Sequence, residues 1–298
     1  MGTAEQYLQE KAGLVNDRLT QYVESWHDIP KRLKESVAYS LLAGGKRLRP
    51  VLVLATAEAL GTEAEQALPF ACALEMIHTY SLIHDDLPAM DDDDYRRGRL
   101  TNHKVYGEAM AILAGDALLT KAFGLMAEGA LLIGLPATTA LNLIAEASRR
   151  AGAEGMVGGQ VDDILHENQP VTLETLRSIH RRKTGDLITF AVRLGGMVAG
   201  ADDSQLEKLT RFAEGLGLAF QIQDDILDVI GDREKLGKET GSDEARNKAT
   251  YPALLGLSAS KEHLRKTIGE AKRWIEGETW LNTRTLLELA DFLTTRDR

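Results

Sequence analysis

The chain has 298 residues and a formal net charge of −10, with 44% hydrophobic and 27% charged residues. That length and balance exclude a disordered, fibrous or low-complexity chain and leave room for a sizeable core, while the acidic excess argues against sequence-independent nucleic-acid binding. The single cysteine, Cys72, excludes a disulfide framework and a thiolate metal site, and reads as a small buried hydrophobe in a reducing compartment.

At the N-terminus Glu5 interrupts any cationic-then-apolar pattern, so no secretory signal is expected and the chain is read as cytoplasmic. Abundant Ala and Leu, only 5% aromatics and the lack of alternating β-branched runs predict an all-α protein. The stretch Gly44-Gly45-Lys46-Arg47-Leu48-Arg49-Pro50 is not a P-loop, because it lacks the Gly-x-x-x-x-Gly-Lys-Ser/Thr spacing. A helix is predicted over 50–60, opened by Pro50 and stopped by Gly61, and a second over 69–86, ended by Leu87-Pro88. Further helices follow over 107–128, 136–152, 155–167, 172–184 with Thr172 as N-cap, 186–199, 204–216 and 219–230. The uncharged run 129–145 is broken by Gly134 and Pro136 and falls short of the roughly 20 residues a membrane span needs. No Pro-rich or Gly/Ser-rich linker divides the chain, so residues 1–298 are expected to form one domain, a single large helical bundle.

Two acidic groups interrupt this apolar pattern. The first runs from His84-Asp85-Asp86 through Asp91-Asp92-Asp93-Asp94. A solvated charge run is the plainer account of such a stretch, but Asp85 and Asp86 close a helix whose C-terminal dipole already presents negative charge, so a compensating cation is expected. His78, Ser81 and Asp85 also share one side of that helix, a polar stripe entering an apolar element. In the second group Gln221, Asp224, Asp225 and Asp228 follow at i, i+3, i+4 and i+7, one helical face, with Ile222, Ile226, Leu227 and Val229 left to pack. Hard oxygen ligands of this kind suit Mg2+ bridged to substrate phosphates. An EF-hand is excluded, because starting it at Asp92 puts Arg96 at a ligand position and Gly98 one residue past the required turn.

Cations accompany the acids: Lys46, Arg47 and Arg49; Arg96-Arg97-Gly98; Arg181-Arg182-Lys183-Thr184-Gly185; and Lys238 with Lys248. Singly each is ordinary helix-end charge. Together with Mg2+-type carboxylates they point to a ligand carrying phosphates, such as a diphosphate, whose apolar body lies between helices.

The set Gly44-Gly45-Lys46-Arg47-Leu48-Arg49-Pro50, Asp85-Asp86-(four residues)-Asp91, Arg96-Arg97-Gly98, Gly159-Gln160-x-x-Asp163, Lys183-Thr184-Gly185 and Phe220-Gln221-x-x-Asp224-Asp225-x-x-Asp228 resembles the trans-prenyl diphosphate synthases, in particular their bacterial farnesyl-producing members. The resemblance runs from about residue 36 to 256 and implies an isoprenoid-synthase bundle with a central cavity, a homodimer and Mg2+-dependent condensation of isopentenyl diphosphate with dimethylallyl or geranyl diphosphate. By it, Asp85, Asp91 and Asp224 would hold three Mg2+ with the allylic diphosphate, with Asp86, Asp225 and Asp228 acting through water. Arg96, Lys183, Thr184, Gln221 and Lys238 would hold that same diphosphate, and Lys46, Arg49, His78 and Arg97 would hold isopentenyl diphosphate without metal. Arg182 stands where many bacterial relatives would have histidine. Tyr80, five residues before Asp85 and hence roughly 7.5 Å down the helix, would with Ser81 form a floor that stops the product at fifteen carbons.

Other readings are weaker. A geranylgeranyl synthase would carry a small residue at Tyr80. A terpene cyclase would have more aromatics and a mixed Asn/Ser/Glu second motif. A His-Asp phosphohydrolase leaves the second acidic group unexplained, and a non-catalytic synthase subunit has no use for intact acidic motifs.

Overall fold

Hydrophobic spacing makes nearly the whole chain helical in the computed structural model, which describes residues 3–167, 169–230 and 249–295. The all-α expectation holds. The elements are α1 (Thr3–Ser25), α2 (Lys31–Leu41), α3 (Leu48–Ala59), α4 (Ala64–Asp85), a two-stranded hairpin of β1 (Tyr95–Arg96) and β2 (Arg99–Leu100), and α5 (Asn102–Tyr106). They continue with α6 (Glu108–Leu132), α7 (Ala137–Ala151), α8 (Met156–Leu165), α9 (Leu173–His180), a π-helical turn at Arg181–Gly185, α10 (Asp186–Val198) and α11 (Asp203–Ile230). After the undescribed stretch come α12 (Tyr251–Leu255), α13 (Leu257–Lys272) and α14 (Arg284–Thr295).

Two helices form the centre because they have no polar face to turn outward. Residues 51–57 of α3 and 67–77 of α4 are buried on every side. Around them α6 and α10 pack against α4 and α3, and α11 packs against α10 and α13. The buried apolar side chains form one cluster that reaches from Ala4 to Leu293. By length and composition α6 is the one described helix able to cross a membrane, with a mean hydropathy of 1.5 in its most apolar window. It packs chiefly on α4, and Ala111, Ala114, Leu118, Ala122 and Leu125 along it are buried.

Several boundaries differ from the sequence expectation for definite reasons. The helix predicted to open at Pro69 begins at Ala64; the carbonyl that Pro69 leaves without its helical donor belongs to Glu65, an exposed residue of the first turn, where the loss costs least. The helices predicted over 204–216 and 219–230 are one helix, α11. Its glycines mark close packing instead of a break: a Cβ at Gly215 would lie 2.5 Å from the Cβ of Ala271, and one at Gly217 3.0 Å from the Cα of Gly185. Thr172 caps α9 as expected, accepting a hydrogen bond from Thr175 N–H, but the segment expected to end at Thr184 passes through the π-helical turn straight into α10. No element was expected over 1–35, yet Leu8, Ala12, Val15, Leu19 and Val23 form the buried stripe of α1.

Candidate active site

The first acidic group is built by the end of α4 and the turn after it. Asp91 N–H donates to the carbonyl of Asp85 at 2.8 Å, folding the turn back so that Asp91 returns to the helix end. Burial pushes the Asp85 carboxyl up to about 6; the Lys183 charge opposes this, and Asp91 and Asp86 add to it. Asp86 is held differently. Its two carboxylate oxygens accept from Arg96 Nε at 2.7 and 2.9 Å, and Arg96 Nη2 also approaches Asp93 at 3.7 Å.

The hairpin that carries Arg96 turns at Arg97 and Gly98, both with positive φ, 55° and 73°, the signature of a type I′ two-residue turn. Its tip reaches back to the Gly44–Pro50 loop, where Arg97 Nη1 donates to the Gly44 carbonyl. Gly45, at φ 117°, has to be glycine twice over, because a Cβ there would also lie 2.6 Å from Arg97 Cζ. On the other side of this loop Arg49 Nη1 donates to His78 Nε2 at 3.2 Å. Burial and then the Arg49 charge hold His78 well below the usual histidine range, so it is neutral and free to accept. Lys46 is exposed at the loop surface. The four residues expected to hold isopentenyl diphosphate thus lie on the loop before α3 (Lys46), the first turn of α3 (Arg49), α4 (His78) and the hairpin tip (Arg97).

The second acidic group lies on α11. Asp225 accepts from Tyr251 N–H at 2.9 Å and from Gln221 Nε2 at 3.1 Å, which ties α11 to the start of α12. Asp228 is buried and Asp224 half-buried. Each acidic group has a cation acting on it: Arg49, whose guanidinium is pushed below its usual range by burial, is supported by the charges of Glu75 and Asp224, and the Lys183 charge acts on Asp85 in the first group. Lys183 Nζ itself bonds Asp163 at 2.6 Å. Its placement depends on Gly159, since a Cβ there would collide with the backbone of the π-helical turn, lying 2.8 Å from the Arg182 carbonyl carbon. Thr184 is half-buried in the same turn. Lys238 and Lys248 lie outside the described residues.

Tyr80 is buried below Asp85, at 7% exposure. Its ring meets that of His84 edge-on at 5.7 Å, and burial, then the Asp85 charge, raise its phenol to about 12. Ser81 Oγ donates to the His78 carbonyl at 2.9 Å.

Three features of the site were not assigned by sequence reasoning: Asp163 as partner of Lys183, the buried pair Arg47 and Glu75, and His180, which lies 3.9 Å from Asp225. The motif containing Asp163 was visible, but its partner lies across the fold.

Among the described residues no three His, Cys, Asp or Glu side chains converge into a ready-made metal cage. The carboxylates stand instead as two groups on separate helices, each with a cation acting on it. That donor set fits Mg2+, which binds through one or two carboxylates and takes its remaining ligands from water and substrate phosphate.

A family model described as polyprenyl synthetase matches residues 30–278. The chain is 53% identical to a farnesyl diphosphate synthase of Geobacillus stearothermophilus, over 91% of each chain. It is 50% identical to the farnesyl diphosphate synthase of Bacillus subtilis, over 98% of this chain and 97% of that one. Among solved structures, an FPP/GFPP synthase from Zymomonas mobilis superposes with a TM-score of 0.86 at 32% identity, covering 97% of this chain and 98% of that one.

Proposed function

The chain belongs to the polyprenyl synthetase family, and we propose from that premise how its residues carry out the reaction. It is a prenyltransferase that condenses isopentenyl diphosphate with dimethylallyl and geranyl diphosphate to give farnesyl diphosphate. The observation that carries this reading of the site is the pair of acidic groups, at the end of α4 and on α11, each with its own cation, Lys183 acting on Asp85 and Arg49 on Asp224. Such a site is strongly anionic alone and comes close to neutral once cations and diphosphate enter together.

Members of this family depend on Mg2+. Asp85, Asp91 and Asp224 would hold it, with three ions expected beside an allylic diphosphate, and Asp86, Asp225 and Asp228 would act through water. Bound there, Mg2+ supplies Lewis-acid stabilisation of the departing diphosphate. Arg96, Lys183, Thr184, Gln221 and Lys238 hold the same diphosphate and stabilise its charge as the C–O bond breaks, so no protein nucleophile is needed. Lys46, Arg49, His78 and Arg97 hold isopentenyl diphosphate so that its double bond attacks the allylic carbon. The released diphosphate accepts the proton lost in forming the new double bond.

Tyr80 and Ser81 set product length in this reading, because the growing tail runs down α4 away from Asp85. Residues 1–298 act as one domain, in the cytoplasm. The partner is a second copy of the chain, for which α6 offers exposed Ile112 and Leu113 beside a groove of about 790 Å3 shared with Trp26, Leu33 and Val37. Incubation with radiolabelled isopentenyl diphosphate, dimethylallyl diphosphate and Mg2+ is expected to give farnesyl diphosphate. No extension of the primer would refute the reading. Sedimentation at working concentration is expected to show a dimer; a monomer would remove α6 from that role.

A further inference from the structure

Glu75 and Arg47 have no part in the assignments above, yet they form a pair whose side chains are 1% and 0% exposed. Burying such a pair is expensive unless its geometry is excellent and its other polar atoms are satisfied. Arg47 meets that condition through three different elements. Its Nη1 donates to Glu75 Oε1 at 2.5 Å, its Nη2 to the Leu41 carbonyl at 2.6 Å, and its Nε to Asn16 Oδ1 at 2.9 Å. One guanidinium therefore binds α1, the end of α2 and α4 to the loop between Gly44 and Pro50. Arg47 is the residue before α3 and sits at φ 49°, a left-handed conformation that an arginine adopts only under constraint. Lys46 precedes it, and Arg49 follows two residues later.

Glu75 does not meet the same condition. Its second oxygen, Oε2, is buried and has no hydrogen-bond partner among the described residues, and the buried Nε of Arg49 also lacks one. Besides offsetting the Arg47 charge, the carboxylate therefore presents a second buried, charged oxygen to the groups around it. Glu75 lies one helical turn before His78, the residue bonded to Arg49. Its charge supports the protonated forms of Arg49 and Arg97, each of which burial pushes the other way, while the Arg47 charge adds to the strain on Arg97.

We infer that Glu75 is a positioning residue for isopentenyl diphosphate. Its carboxylate fixes Arg47, and through it the loop that presents Lys46 and Arg49, and it supplies the buried negative charge that allows Arg49 and Arg97 to stand together before the anionic substrate arrives. The inference rests on the assignment of this loop to isopentenyl diphosphate. It makes no contact between Glu75 and the substrate, so the expected defect is in affinity for one substrate and not in turnover.

Calorimetric binding of isopentenyl diphosphate in the presence of EDTA, together with steady-state kinetics, tests it. Glu75→Gln keeps the shape and removes the charge. It is expected to weaken isopentenyl diphosphate binding and raise its KM about tenfold or more, with the allylic KM and the kcat at saturation close to wild type. If that variant does not fold, Arg47→Met combined with Glu75→Met replaces the pair by apolar groups, a change that buried pairs often tolerate, and the same selective loss is expected. A folded variant of either kind that binds isopentenyl diphosphate with wild-type affinity would overturn the inference. So would equal losses for both substrates. Primer extension by the wild type checks the functional reading separately: its absence, with binding intact and dependent on Glu75, would overturn that reading and still support the role of Glu75.

Discussion

Arg96 grips both oxygens of Asp86 through a single nitrogen, Nε, at 2.7 and 2.9 Å, while its Nη2 adds a third contact at 2.6 Å. A residue expected to hold substrate is therefore already ordered by one of the carboxylates of the metal motif. Asp86→Asn is expected to remove about 1–2 kcal/mol of stability, limited because the Arg96 side chain is about one-third exposed. It is also expected to raise the allylic KM. Scanning calorimetry and kinetics measure the two effects, and an unchanged allylic KM would mean that Arg96 needs no help from Asp86.

Asp224→Ala is expected to lower kcat by at least about two to three orders of magnitude, since it removes charge stabilisation needed mainly as the diphosphate departs. Turnover is measured at saturating Mg2+ and substrates. A variant as fast as wild type would take Asp224 out of the reaction.

Lys46 stands exposed on the loop that Arg97 and Arg47 hold. Lys46→Ala is expected to raise the KM for isopentenyl diphosphate and to leave that for geranyl diphosphate nearly unchanged. Equal increases would place Lys46 between the two sites.

Tyr80→Ala opens the space beneath Asp85 and is expected to shift products to twenty carbons or more. It is also expected to destabilise the protein by about 3–5 kcal/mol, as removal of a buried ring does. Chromatography of the dephosphorylated products decides the first point; farnesyl chains alone would put the floor elsewhere, on α6.

His180 is held down to about 3 by burial, with Asp163 acting against it and Lys183 with it. The unfolded chain takes up this proton near the ordinary value of 6.5, so between these values the unfolded state binds more protons and stability falls as pH falls. The loss is about 1.4 kcal/mol per pH unit within that window. Asp85 works in the opposite direction over a narrower range: its carboxyl titrates at about 6 folded against an ordinary 3.8, which favours the folded state as pH drops between the two. His180→Gln is expected to flatten the decline in Tm from pH 6.5 to 5. An identical slope in the variant would assign the acid sensitivity to other groups.

The acidic stripes were legible because they are local: the i, i+3, i+4, i+7 spacing from Gln221 to Asp228 survives any detail of packing. Helix type was legible for the same reason. What the sequence hid depends on partners distant in the chain. Gly215 and Gly217 look like a break until Ala271 and Gly185 are brought against them. Arg47 looks like one more basic loop residue until Asn16, Leu41 and Glu75 close around it. Glu75 itself looks like a helix-surface charge in the middle of a segment that turns out to have no surface.

The π-helical turn at Arg181–Gly185 has a further consequence for which changes the chain tolerates. It widens one turn between two segments that both have a face to bury, Leu176 and Ile179 before it, Leu187, Ile188 and Phe190 after it. Deleting a single residue there would close the wide turn into an unbroken α-helix and leave the two flanking faces nearly in phase, because a π-turn is an α-turn that has absorbed one extra residue. The apolar faces before and after it would stay in the core, while Lys183 and Thr184 would shift by one place relative to Asp163. A one-residue deletion inside α10, by contrast, would turn its apolar face by about 100°. Loss of the extra residue at Arg181–Gly185 is thus expected to impair the site more than the fold, and the same loss within α10 to unfold the chain.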